Sequence, residues 1–244
     1  AAQAGVAEGS VVNFASRLGA GGFSALKIAF ARETHTGFSF GDVTEQDTPL
    51  AALRKTAAGA EEAIRRTAQA MDGNALTEAA ELLSSARRIE IIGAGGSALI
   101  AQDAYLHLMR AGFPAYAVTD YLSFSVAAAQ LDGDCAALAV SHSGQTAEIV
   151  DAMEIAKTRG AGTICVTSYG DSLLGRLCRV TLATASSEAE RHQEAAAARL
   201  THLMVLDALC AYLGAQRGSR TVEHEDLAER CLSRCRYPRE EERQ

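Results

Sequence analysis

The chain has 244 residues, enough for one large domain or a medium one with a smaller attachment. Hydrophobic residues make up 48% and charged residues 22%, so the composition is that of a folded globular protein rather than a disordered or fibrous one. Net charge is −7, yet residues 1–70 balance seven basic against seven acidic side chains, so a nucleic-acid contact belongs in the front part and the acidic remainder repels phosphate backbones.

Taken in chain order, residues 1–33 read as short helices. Gly5 can turn between two of them, and Val11, Phe14 and Leu18 share one face. Ser10, Asn13 and Arg17 share another. Asn can pair with adenine and Arg with guanine in a major groove, although any small amphipathic helix has such a polar face. Residues 34–48 are polar and aperiodic, as in a linker. Thr48 and Pro49 then form an N-cap and first helical residue. The helix they open places Leu50, Leu53, Ala57, Ala60, Ile64, Thr67 and Met71 on one narrow seam, suited to packing within the domain or across a subunit interface.

From residue 74 the pattern alternates: helix 74–86, strand 89–92, helix 96–111, strand 115–118, helix 122–130, strand 135–140, helix 144–159, strand 162–167, strand 179–183 and helix 188–214. Strands alternating with helices predict a parallel sheet covered on both faces. The strand segments "IEII", "CAALAV" and "TICVT" are short and apolar with little alternation, which fits that covering. Residues 215–244 read as a solvated, partly helical tail. The six cysteines lie mostly in apolar segments and are expected to be reduced thiols. Cys231 and Cys235 lack partners at zinc spacing. No leader or membrane-spanning run is apparent, and a cytoplasmic protein is expected.

In open parallel sheets, ligands bind where strands end and helices begin. Two such points carry chemistry. "GAGGSA", 93–98, offers flexible backbone amides before a helix, with Gly95, Gly96 and Ser97 as candidates. "SHSGQT", 141–146, brings Ser141, His142, Ser143 and Thr146 to one turn. Hydroxyls and amides gathered at a helix start suit an anion with many acceptor oxygens, such as a phosphate monoester. Singly, each loop reads as a cap or a turn; together in one array they point to a site. "GAGGSA" also fits the dinucleotide fingerprint, with Asp120 placed as a ribose-binding acid, but that reading leaves "SHSGQT" unexplained. A P-loop is excluded because no Gly-Lys-Ser/Thr follows either cluster.

Residues 74–214, through "GAGGSA" and "SHSGQT", resemble the SIS (sugar isomerase) domain, an α/β sandwich that binds phosphosugars. The resemblance implies that Ser97, Ser141, Ser143 and Thr146 bind phosphate with His142 alongside, and that Glu188 contacts sugar hydroxyls. As a residue alone, Glu188 is also an ordinary acid at a helix start. Residues 5–33, closing on "RLGAGGFSALKIAFA", with the linker and the SIS-like part are similar to the RpiR family of bacterial transcriptional regulators.

That resemblance implies a partial helix-turn-helix segment at 1–33, a linker at 34–48, and an SIS domain with its leading helices at 49–214. The first helices of the DNA-binding domain would then be absent from this chain. It further implies a sugar-phosphate effector, a double-stranded DNA operator, a homodimer or homotetramer, and neither cofactor nor metal. The rival reading is a phosphosugar isomerase or lyase. His107 reads as a packed helix residue, and Arg199 as half of a structural ion pair.

Overall fold

The computed structural model describes residues 43–185 and 196–233. The elements are α1 (Pro49–Ala70), α2 (Gly73–Ser85), β1 (Arg88–Gly93), α3 (Gly96–Arg110), β2 (Ala115–Val118), α4 (Tyr121–Ala129), β3 (Cys135–Val140), α5 (Ala147–Thr158), β4 (Gly162–Thr167), α6 (Leu173–Leu177), β5 (Val180–Ala183), α7 (Ala196–Arg217) and α8 (Ser219–Ser233). The expected α/β sandwich is present. Ser10, Asn13, Arg17 and Glu188 lie outside the described residues.

The helix starts follow from their caps. Thr48 Oγ1 accepts from Ala51 N at 3.2 Å, and Pro49 fills a position whose N–H would have no helical partner. Asp72 accepts from Asn74 N at 2.8 Å to open α2. α5 departs from expectation. It begins at Ala147 rather than 144, because Gly144 has φ +60° and Thr146 is extended, which holds 144–146 outside the helix. The five-residue α6 is too short to leave a periodic trace and was not foreseen. Gly218, at φ +56°, separates α7 from α8.

All strand pairs are parallel, in the order β2-β1-β3-β4-β5. The chain steps from β1 out to β2, then returns to pair β3 on the other side of β1. That reversal is the topological switch point. The faces are built differently. Ile89, Ile91, Leu138, Val140, Ile164, Val166 and Leu182 pack with α2, α3 and α7. Ala137, Ala139, Cys135 and Cys165 face α4, α5 and α6, where short side chains leave room for Phe124, Ile149 and Met153.

α7 is long and apolar because it is covered twice. Val205, Leu206, Leu209 and Leu213 enter the core, and α1 packs over the helix. The seam on α1 is therefore divided. Ala60 and Thr67 are buried, whereas Leu50 and Leu53 remain 55% and 65% exposed. Thr67 Oγ1 accepts from Ala185 N at 3.0 Å and ties α1 to the end of β5.

Leu138 sits fully buried at the middle of the central strand. Leu138→Ala is expected to lower unfolding free energy by about 2–5 kcal/mol, read as a reduced denaturant midpoint with an unchanged slope.

Candidate functional site

Gly93 pairs with Val140 at the last position of the β1–β3 ladder. The loops 94–98 and 141–146 therefore leave the sheet side by side, at the switch point. Each opens a helix of more than three turns, α3 and α5, so two helix N-termini converge on this edge.

The first loop is shaped by its glycines. A Cβ on Gly93 would lie 2.6 Å from the Ser97 carbonyl oxygen, so the strand end and the first helical turn close together only without a side chain. Gly95 caps α3 at φ +57°. Ser97 is buried, and its hydroxyl makes no hydrogen bond among the described residues.

The second loop is held from within. Ser141 N donates to Val166 O at 3.1 Å, and Gly144 N donates to Ser141 Oγ at 3.2 Å. Gln145 N donates to Ser143 Oγ at 3.2 Å. A Cβ on Gly144 would fall 2.1 Å from Ser172 Oγ, and Leu174 N donates to the Gly144 carbonyl at 3.1 Å. Thr146 is the N-cap of α5 but makes no side-chain capping bond. Ser141 and Ser143 thus use lone pairs to shape the loop and keep their protons for donation. Ser97 and Thr146 keep both. The edge offers four hydroxyl donors and two positive helix ends, an arrangement that stabilises a multiply charged oxyanion.

His142 was expected to lie alongside through its backbone. Its carbonyl accepts from Ser168 N at 3.1 Å and from Thr167 Oγ1 at 3.2 Å, which pins the loop to β4. The ring is buried, with Nδ1 2.8 Å from Ser168 Oγ. Ser168 Oγ also lies 3.2 Å from His202 Nε2 and 3.4 Å from Thr184 Oγ1. Ser168, Thr184 and His202 were not singled out from the sequence. The hydroxyls close "CVTS" and "LAT" at the ends of β4 and β5, and that shared position was the available signal. His202 stands in the apolar run "LTHLM", where pattern alone marks only core. Burial, and less strongly the neighbouring His142, push the His202 pKa down from 6.5 to about 3.

Other candidates fall elsewhere. Asp120 caps α4, accepting from Ser123 N at 3.0 Å, which accounts for it without a ribose. Arg199 is half-buried on α7. His107 is exposed rather than packed: its Nε2 lies 4.0 Å from Asp103 and its Nδ1 3.8 Å from Asp207, because the charged faces of α3 and α7 meet there. These three side chains could hold a divalent cation, with ligand atoms within 4.8 Å of one another, on the exposed surface of α3 and α7. A cavity of about 490 Å³ opens at the opposite, amino edge of the sheet. Its cations are already engaged, Lys157 with the Leu177 carbonyl and Arg179 with Glu78, so it offers no ready anion site.

Comparison with known proteins agrees with this fold. The SIS domain family matches residues 82–212. An uncharacterised HTH-type transcriptional regulator of Caldanaerobacter subterraneus subsp. tengcongensis is 33% identical over 229 residues, spanning 93% of this chain and 81% of the relative. Among solved structures, the Vibrio vulnificus NanR protein complexed with ManNAc-6P superposes with a TM-score of 0.76 at 23% identity, covering 96% of this chain and 83% of that one. The sugar isomerase domain of the RpiR transcription factor from Sphaerobacter thermophilus gives 0.67 at 20% identity, covering 73% and 98%.

The depressed His202 pKa couples stability to pH. The unfolded chain protonates this imidazole below about 6.5, while the folded chain does so only near 3. Its contribution is therefore complete above 6.5 and is lost progressively as pH falls toward 3, at up to about 1.4 kcal/mol per pH unit. Denaturant titrations at about pH 7 and about pH 5.5 should show a smaller loss for His202→Gln than for the parent.

Proposed function

Because the chain belongs to the SIS domain family and is similar over 93% of its length to an HTH-type transcriptional regulator, we propose that it is a regulator of the RpiR family whose carboxyl-edge site is the sensor for a phosphorylated sugar. The observation that carries this reading is the convergence of loops 94–98 and 141–146 from adjacent strands, with four donating hydroxyls and two helix N-termini. Gly95, Gly96, Ser97, Ser141, Ser143 and Thr146 cradle the phosphate, His142 supports the loop, and Glu188 is assigned to the sugar hydroxyls. The NanR structure solved with ManNAc-6P has the same fold and supports this class of effector.

The protein regulates transcription. The helix-turn-helix segment at 1–33 binds the operator through Ser10, Asn13 and Arg17, the stretch 34–48 links it to the sensor at 49–214, and the polar tail follows at 215–244. The relative's match over 93% of the chain takes in much of the front segment, which a phosphosugar isomerase does not need. The effector controls genes of sugar metabolism by binding two arrangements of the dimer with unequal affinity; equal affinity would shift nothing. The protein acts in the cytoplasm, as a homodimer or homotetramer.

A panel of sugar phosphates in a thermal-shift assay tests the effector. At about a hundred times its dissociation constant, a ligand stabilises the native state by about 2.7 kcal/mol. Ser143→Ala with Thr146→Val removes two hydroxyls that do not hold the loop to the sheet. Each loss should weaken binding by roughly 1.5–3 kcal/mol. Unchanged affinity in a folded double variant would remove the cradle.

Two-fold assembly uses the outer half of α1, where Leu50, Leu53 and Ala57 are exposed. A symmetric reader gains two half-site contacts from one complex. Light scattering should give at least a dimer for the chain. Leu50→Asp with Leu53→Asp should shift it toward monomer without a loss of helical signal. A monomeric parent would refute the symmetric arrangement.

A further inference from the structure

Four side chains meet beneath the 141–146 loop: His142, Ser168, Thr184 and His202 are all buried. Ser168 Oγ lies at their centre, 2.8 Å from His142 Nδ1, 3.2 Å from His202 Nε2 and 3.4 Å from Thr184 Oγ1. A hydroxyl has one proton and two lone pairs, so it donates once and accepts twice. The proton pattern follows from His202, which is fully buried and whose Nδ1 has no hydrogen-bond partner among the described residues. An orphaned N–H is the rarer and costlier defect, so Nδ1 is the bare acceptor and Nε2 carries the proton. His202 Nε2 then donates to Ser168. Ser168 then has one proton and one lone pair left for His142 Nδ1 and Thr184 Oγ1. Given to His142 Nδ1, the nearer of the two, the proton leaves that lone pair to the Thr184 hydroxyl. A neutral His142 then carries its own proton on Nε2.

This chain reaches the middle of the sensor loop. His142 stands between Ser141 and Ser143, and its carbonyl is held by Ser168 N and Thr167 Oγ1. Ser168 thus grips His142 at both backbone and ring, while His202 brings α7 to bear on the same hydroxyl. We propose that Ser168 and His202 are positioning residues of the site: they hold His142 in a single tautomer and so keep the 141–146 loop in its anion-binding form. The proposal rests on the effector reading above.

The experiment has two independent readouts. Imidazole nitrogen NMR of the chain without ligand should show both His142 and His202 protonated on Nε2 and bare on Nδ1. Protonation of His142 on Nδ1 overturns the proposal. Binding is then measured with inorganic phosphate and hexose 6-phosphates. For the tightest of them, Ser168→Ala should weaken affinity about tenfold and abolish the His142 signature, and Ser168→Thr should restore both. A variant that melts earlier yet binds as the parent does would leave these residues a merely structural role and overturn the proposal. Should Ser168→Ala fail to fold, His202→Gln retains a donor toward Ser168 and should bind within about twofold of the parent, whereas His202→Leu should lose about tenfold; equal affinities refute the assignment. If the parent binds no member of the panel, the positioning claim falls with the effector reading. The tautomer spectrum then shows which failed, since the predicted pattern without binding places the fault in the effector.

Discussion

The parallel pairing of β1 with β3 is the constraint on which the site depends. Parallel strands put all their carboxyl ends on one edge, and right-handed crossovers send the helices that follow to the sheet faces. Between β1 and β3 the winding reverses, so α3 and α5 leave on opposite faces and the two loops are not covered by a crossover. A slip of one residue would carry Gly93 away from Val140 and exchange the faces of a strand whose two sides differ in size. The register is therefore specified by the core, and the site inherits its geometry from that register.

Within this frame the loop residues divide their labour. Glycines supply backbone shapes: Gly95 and Gly144 take positive φ, and Gly93 permits a contact that a methyl group would block. Serines shape the second loop with their lone pairs and keep their protons for a ligand. The edge is thus organised before any anion arrives. Preorganisation matters energetically, because donors already held in place need no ordering when the ligand binds.

The same edge is tied to the rest of the molecule through polar groups that have left water. Ser168 joins β4 to the 141–146 loop and to α7, and Thr67 joins α1 to the end of β5. α1 follows the 34–48 stretch in the chain, and its inner half is sealed on α7 while its outer half is bare. A helix so divided suits a role between a ligand site and an assembly surface. Its seam reads as continuous in sequence because periodicity reports which side chains share a face, not how far along the helix a partner extends.

The sequence by itself determined the alternation of strands and helices, the covered sheet, the cap at Thr48, and the two loops with their hydroxyls. These follow from local chemistry: apolar runs, glycine freedom and capping oxygens act within a few residues. Only the tertiary structure decided the strand order, and with it that 94–98 and 141–146 are neighbours although more than forty residues lie between them. It also decided that His142 turns inward, that Ser168, Thr184 and His202 meet, that His107 faces water, and that half of the α1 seam is bare. Those outcomes depend on contacts between distant segments. A histidine in an apolar run has the same local pattern whether it merely fills space or completes a hydrogen-bond chain, and only the groups packed against it make the difference.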